Sequence, residues 1–223
     1  MSHPVDRIRL GPIHNPVRGV LHGSAALFSF AVALQLGIRE QMDPILRAAL
    51  VMFAATQMGL YLVSASYHSI PWPPRWKQRM QRADHAMIFL AIAGSVTPLA
   101  LLGLSDAYRA PIVAAVWAIA VLGVAQKAFL PQVHERASIP VQIAQAALAA
   151  PALLGFATRF PGAPGRLALL GAGLYAVGAV VFLTERPRLW PRVFSFHELF
   201  HVLVVAGSGA YYALATGWLA RIP

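Results

Sequence analysis

Three histidines and an aspartate in this 223-residue chain have the types and spacing of a metal site. His197 and His201 are four residues apart, which on a helix stacks both imidazoles on one face, within reach of a single ion. Two neutral imidazoles need a third ligand, and His68 supplies it from another helix. Three imidazoles that leave one tetrahedral position open are the pattern of a catalytic zinc site. Asp84 can bind such an ion directly, or accept a hydrogen bond from its water and serve as base. Ser64, one turn before His68 on the same face, can bond to that water or to a substrate oxygen.

Taken singly, each group has a plainer reading. A lone intramembrane histidine is often a hydrogen-bond donor between helices, and Asp84 beside Arg82 reads as an interfacial ion pair. Three histidines and an aspartate at one depth do not reduce to such cases, because ionisable groups in a bilayer are costly. A competitor is His197-Glu198-Leu199-Phe200-His201, which fits H-E-x-x-H, the zinc protease signature with glutamate as general base. That reading leaves His68 and Asp84 to be explained separately. His22 and Asn15 reach the same level, where a capping or interfacial role suits each better than lining the cavity. His85 points about 100° away from Asp84 on a helix and is outside the first ring of groups.

The elements that must carry these residues are membrane helices. The chain is 58% hydrophobic and 12% charged, with a mean hydropathy of +0.61, which excludes a water-facing globular domain. Its charges gather between apolar runs of about 20 residues, the length that crosses a bilayer as a helix. We read seven spans: 20–38, 45–68, 85–104, 111–129, 139–157, 167–183 and 194–219. The expected fold is an all-α integral membrane protein, with a tail over 1–18 and a single seven-helix domain over 19–219. Asp43-Pro44 and Ala110-Pro111 suit helix starts, Pro71-Trp72-Pro73-Pro74 stops the second helix, and Pro98 and Pro151 predict kinks. The first run resembles a signal peptide at Ala31-Val32-Ala33, but its apolar sequence continues to Ile38, and we read it as retained.

The net charge of +10 does not indicate nucleic acid, since the cations sit in short loops with no binding module around them. They read as topology signals and lipid-headgroup contacts. One face collects Arg7, Arg9, Arg18, Arg75, Lys77, Arg79, Arg82, Lys127, Arg136, Arg186, Arg188 and Arg192. The other has Arg39, Arg47, Arg109, Arg159, Arg166 and Arg221. The positive-inside rule then puts the N-terminus in the cytoplasm and the C-terminus outside. In this topology His68 ends its helix, and Asp84, His197 and His201 begin theirs, all at the cytoplasmic level. Trp72, Trp76 and Trp190 flank the same loops as interfacial anchors. Cysteine is absent, which removes disulfides, thiolate metal sites and Cys nucleophiles. Small residues (Gly19 and Gly23; Gly171, Gly173 and Gly178; Gly207 and Gly209) let helices approach closely, and packing within the bundle explains them better than an oligomer does.

The sequence resembles the hemolysin III-related proteins, the bacterial branch of the progestin and adipoQ receptor superfamily. The resemblance is carried by Asn15-Pro16-Val17-Arg18-Gly19-Val20-Leu21-His22, Ser64-Ala65-Ser66-Tyr67-His68, Asp84-His85 with Gly94-Ser95-Val96-Thr97-Pro98, and Trp190-Pro191-Arg192-Val193-Phe194 leading into His197–His201. It covers about Asn15 to Gly217. It implies a seven-helix plasma-membrane protein with a cytoplasmic N-terminus. It also implies Zn2+ on His68, His197 and His201, with Asp84 at or near the metal and Ser64 adjacent. Relatives in the superfamily look like zinc-dependent lipid amide hydrolases or act as receptors, and bacterial members are associated with membrane-lipid homeostasis. The expected function is hydrolysis of a lipid amide or ester bond, with a membrane lipid or fatty acyl chain as partner. The alternatives are a lipid or membrane-state sensor with structural zinc, and an intramembrane protease using Glu198.

Overall fold

Proline and aspartate divide the chain much as the spacing predicts. The computed structural model describes residues 9–10, 13–14, 16–130, 135–190 and 193–222. A two-residue antiparallel ladder, β1 (Arg9–Leu10) with β2 (Ile13–His14), precedes the helices α1 (Pro16–Gly37), α2 (Pro44–Ser69), α3 (Pro74–Gly103), α4 (Asp106–Phe129), α5 (Glu135–Leu148), α6 (Ala150–Arg159), α7 (Ala163–Thr184) and α8 (Phe196–Gly217). Together α5 and α6 make the fifth crossing, so among the described residues seven segments are long and apolar enough to span a membrane.

The starts follow capping chemistry. Asp43 Oδ1 accepts from the Leu46 amide at 2.8 Å, and Pro44 opens α2 where its missing N–H has no role. Pro74 opens α3 in the same way. At α8, Ser195 and Glu198 form a reciprocal capping box. Pro151 has no amide to give the carbonyl four residues back, and the fifth crossing breaks at Ala149 beside it. Pro98 does not break its helix, since α3 runs on through it to Gly103.

Three boundaries differ from expectation. Arg75, Lys77, Arg79 and Arg82, read as a loop, occupy the first three turns of α3. A hydropathy window ends where charge begins, but Arg, Lys, Gln and Met are good helix formers, so the helix continues past the apolar run. Arg18, counted with the tail, lies in the first turn of α1 and is buried. The fourth span begins at Asp106 behind Ser105, so Pro111 falls inside α4.

Helix α3 is the most enclosed, with α2, α4, α5 and α6 around it, while α8 lies against α7, α1 and α2. Leu36, Phe53, Phe89, Val116, Phe156 and Leu214 fill the core. Leu27, Phe28, Leu34, Val121, Leu122, Val177 and Val180 face outward on α1, α4 and α7, a surface suited to lipid and not to water. Two crossings are so close that backbone meets backbone. A Cβ on Gly103 would stand 2.4 Å from the Phe156 nitrogen, and one on Gly155 would stand 2.4 Å from the Gly103 oxygen. Gly171 and Gly207 do the same for α7 and α8. One group of interior hydroxyls and amides is satisfied across helices. Gln57 Nε2 donates to Ser95 Oγ at 2.9 Å, Ser208 Oγ donates to Gln57 Oε1 at 3.2 Å, and Ser208 is also bonded to Tyr61 and Tyr175.

Candidate metal centre

Three helix ends build the site. His68 is in the last turn of α2, His197 and His201 are on the first two turns of α8, and Asp84 is three turns into α3. A candidate ligand atom from each of His68, His197 and His201 can be chosen so that all lie within 4.8 Å of one another. The ring centroids are 4.9–5.3 Å apart. A tetrahedral zinc with Zn–N bonds near 2.0–2.1 Å holds its nitrogens about 3.4 Å apart, so the rings need close by no more than about 1.4 Å. Small rotations about the Cβ atoms supply that, and the three neutral imidazole donors fit the ion. Asp84 Oδ2 is 3.9 Å from His68 Nε2, and the Ser64 hydroxyl lies against the Asp84 carboxylate. His68, Asp84, Ser64 and His201 are buried, while His197 is half-buried beside Phe182 and Phe200. All five residues expected from sequence are therefore brought to one end of the bundle.

Two further residues arrive from α1. Arg18 Nε donates to Glu198 Oε1 at 2.7 Å, with its Nη2 also 2.7 Å from that oxygen, and Arg18 Nη1 lies 3.5 Å from His68 Nδ1. Both members of the pair are buried, at 4% and 3% exposure. Glu198 Oε2 accepts from the Ser195 amide at 2.8 Å. Each oxygen of the H-E-x-x-H glutamate is thus engaged in holding α8 to α1 and in capping α8. His22 is buried with its Nε2 2.8 Å from His201 Nδ1, which corrects the capping or interfacial role expected for it.

In the sequence Arg18 reads only as a topology charge, and the structure adds it to the site. The available signal was its spacing of four from His22, which puts both on one face of α1. His85 is half-buried outside the histidine cluster, and its carbonyl accepts from Gln142 Nε2 at 3.4 Å. Asn15 lies outside the described residues. On the α2–α3 side, Lys77 Nζ donates to the Tyr67 carbonyl and sits 4.1 Å above the Tyr67 ring.

A bundle of seven membrane-length helices that gathers three imidazoles, a carboxylate and a buried ion pair at one end defines a multi-pass membrane protein with a polar interior site. The chain belongs to the Haemolysin-III related family, which it matches over residues 12–212. It is similar to the Hemolysin-3 of Bacillus cereus, 29% identical over 191 residues, or 85% of this chain and 84% of that one. It is also similar to the Hemolysin-3 homolog of Bacillus subtilis (strain 168), 27% identical over 171 residues and 77% of each chain. The family resemblance read from the motifs is borne out, and with it a multi-pass plasma-membrane protein.

Proposed function

We propose that this protein binds zinc through His68, His197 and His201 and hydrolyses an amide or ester bond in a membrane lipid, acting from the cytoplasmic leaflet. The observation that carries the reading is the convergence of three imidazoles on one point with Asp84 and Ser64 beside them. Zinc, when bound, supplies a Lewis acid that polarises an acyl carbonyl and activates water. Asp84 is the base, taking a proton at its carboxylate and returning it to the leaving amine or alcohol. Ser64 orients that carboxylate or donates to a substrate oxygen. Phe182 and Phe200 beside His197 provide an apolar wall for an acyl chain. Glu198 is a poor base here, because Arg18 and the Ser195 amide already occupy its oxygens, and this weighs against a protease.

A second reading, zinc as the structural element of a lipid sensor, draws on burial. His68 and His201 are only 4% and 2% exposed, leaving His197 as the accessible imidazole. The experiment measures zinc and turnover together on purified protein. Wild type is expected to hold about one zinc per chain, lost in His68→Ala, His197→Ala or His201→Ala. Asp84→Asn is expected to keep most of the zinc and lose release of fatty acid from ceramide-like or other acyl lipids. Cleavage of a membrane-peptide substrate that is lost in Glu198→Gln but kept in Asp84→Asn would instead favour the protease. Release no greater than from a zinc-stripped control, across a broad lipid panel, would favour the sensor.

A further inference from the structure

The contact between His22 and His201 joins two buried imidazoles, and one of them is a proposed ligand. Their rings are 3% and 2% exposed, their centroids 4.0 Å apart, and Nε2 of His22 faces Nδ1 of His201 at 2.8 Å. A hydrogen bond between two imidazole nitrogens holds a single proton, so the pair has two neutral arrangements. With the proton on His201 Nδ1, the other nitrogen of His201, Nε2, keeps its lone pair for a metal. With the proton on His22 Nε2, His201 must carry its own proton on Nε2 and has no lone pair to offer. The partner of one ring nitrogen therefore decides whether the other can ligate.

We propose that His22 is the positioning residue of the metal centre, accepting a hydrogen bond from His201 Nδ1–H so that His201 presents Nε2 to the ion. The inference rests on the zinc reading above and adds α1 to the helices that make the site. Accepting at Nε2 puts the proton of neutral His22 on Nδ1, which is buried with no hydrogen-bond partner among the described residues, so the ring is held in place by its packing. Tyr61, fully buried, packs edge-on to its ring at 5.0 Å, and the Tyr61 hydroxyl is held by Ser208, itself bonded to Gln57 and Tyr175. One turn earlier on α1, Arg18 is held by Glu198, which stands between the two α8 histidines in sequence. Two contacts four residues apart on α1 thus meet α8 at positions three apart, which sets both the register and the rotation of α1 at the site. The interior hydroxyl network and the buried ion pair converge on the orientation of one imidazole.

The test is zinc affinity, measured by chelator competition on the full-length protein in detergent, for wild type, His22→Leu and His22→Gln. Leucine cannot accept a hydrogen bond, whereas the glutamine side-chain oxygen can. His22→Leu is expected to weaken zinc binding roughly 10–100-fold, the usual cost of losing such a partner, and His22→Gln to recover most of it. The absorption spectrum of the cobalt-substituted protein should keep its wild-type form in His22→Gln, and the metal-free melting temperatures should stay close to wild type. If His22→Leu does not fold, His22→Phe makes the same comparison with a ring that has no acceptor. Zinc affinity equal to wild type in the variant lacking an acceptor would overturn the proposal. Equal loss in His22→Gln would also overturn it, since His22 would then be a ligand itself or a packing residue. Wild type that binds no zinc would remove the metal reading and this proposal together, whereas wild-type binding with indifferent His22 variants removes only the proposal.

Discussion

Glu198→Gln removes the charge of a carboxylate that is 3% exposed and leaves its partner, Arg18, charged, 4% exposed and without its counter-ion. Breaking a buried ion pair from one side costs about 3–5 kcal/mol, mostly the penalty of the stranded charge. A chain unfolded within detergent still finds polar partners, which argues for the lower end, about 3 kcal/mol. The capping contribution is nearly unchanged, because a glutamine oxygen still accepts from the Ser195 amide. For a chain of this length each kcal/mol is about 2–4 °C in melting temperature, so Glu198→Gln is expected to lower it by about 6–12 °C. Arg18→Met strands the carboxylate instead and should cost a similar amount. The double variant Arg18→Met, Glu198→Gln buries no unpaired charge and should return to within about 2 kcal/mol of wild type, since replacing both members of such a pair is often close to neutral. Thermal unfolding of all four proteins in one detergent closes the cycle. Additive losses in the double variant, or single variants that melt with wild type, would refute the claim that this pair ties α1 to α8.

Gly103→Ala and Gly155→Ala should each lower the melting temperature by several degrees, because the added methyl meets main-chain atoms of the facing helix that cannot turn aside; Gly23→Ala and Gly173→Ala, which open onto empty space, should leave it unchanged in the same melt. Reporters fused after Pro223 are expected to read outside and those inserted between Pro71 and Pro74 cytoplasmic, following the excess of Lys and Arg on the latter face; the opposite pattern would move the candidate metal centre to the outer leaflet.

The parts of this architecture that are legible in sequence depend on local or one-dimensional rules. Seven apolar lengths, the Asp43-Pro44 start and the break at Pro151 need no knowledge of neighbours. The histidine pair of α8 is legible because spacing of four fixes a shared helix face, and His68 and Asp84 because depth follows from counting spans. Hydropathy misplaces the start of α3 because charge ends an apolar window without ending a helix, so the turns from Arg75 to Arg82 look like loop in the sequence. Glycine content shows that helices approach closely but not which glycines do so. Gly171 and Gly207 face each other, Gly173 and Gly209 face open space, and Gly103 with Gly155, which no small-residue cluster marks in the sequence, bring backbone closest to backbone.

The contacts of Arg18 and His22 are not legible for a different reason: their partners are 180 and 179 residues away, and no periodic rule links them. That distance also governs what H-E-x-x-H means in this chain. The motif places a glutamate between two potential ligands in every case, but a base needs a carboxylate oxygen available for a proton. Here the α1 guanidinium takes one oxygen and the α8 cap takes the other, so Glu198 is committed to holding helices together. Asp84, reached from α3, has the Ser64 hydroxyl against its carboxylate, the His68 ring at 3.9 Å and the Lys77 charge nearby, and under the proposed function it is the carboxylate that takes the proton. The five residues of the motif are the same under either assignment, and the contact that weighs against Glu198 as the base comes from the first turn of α1.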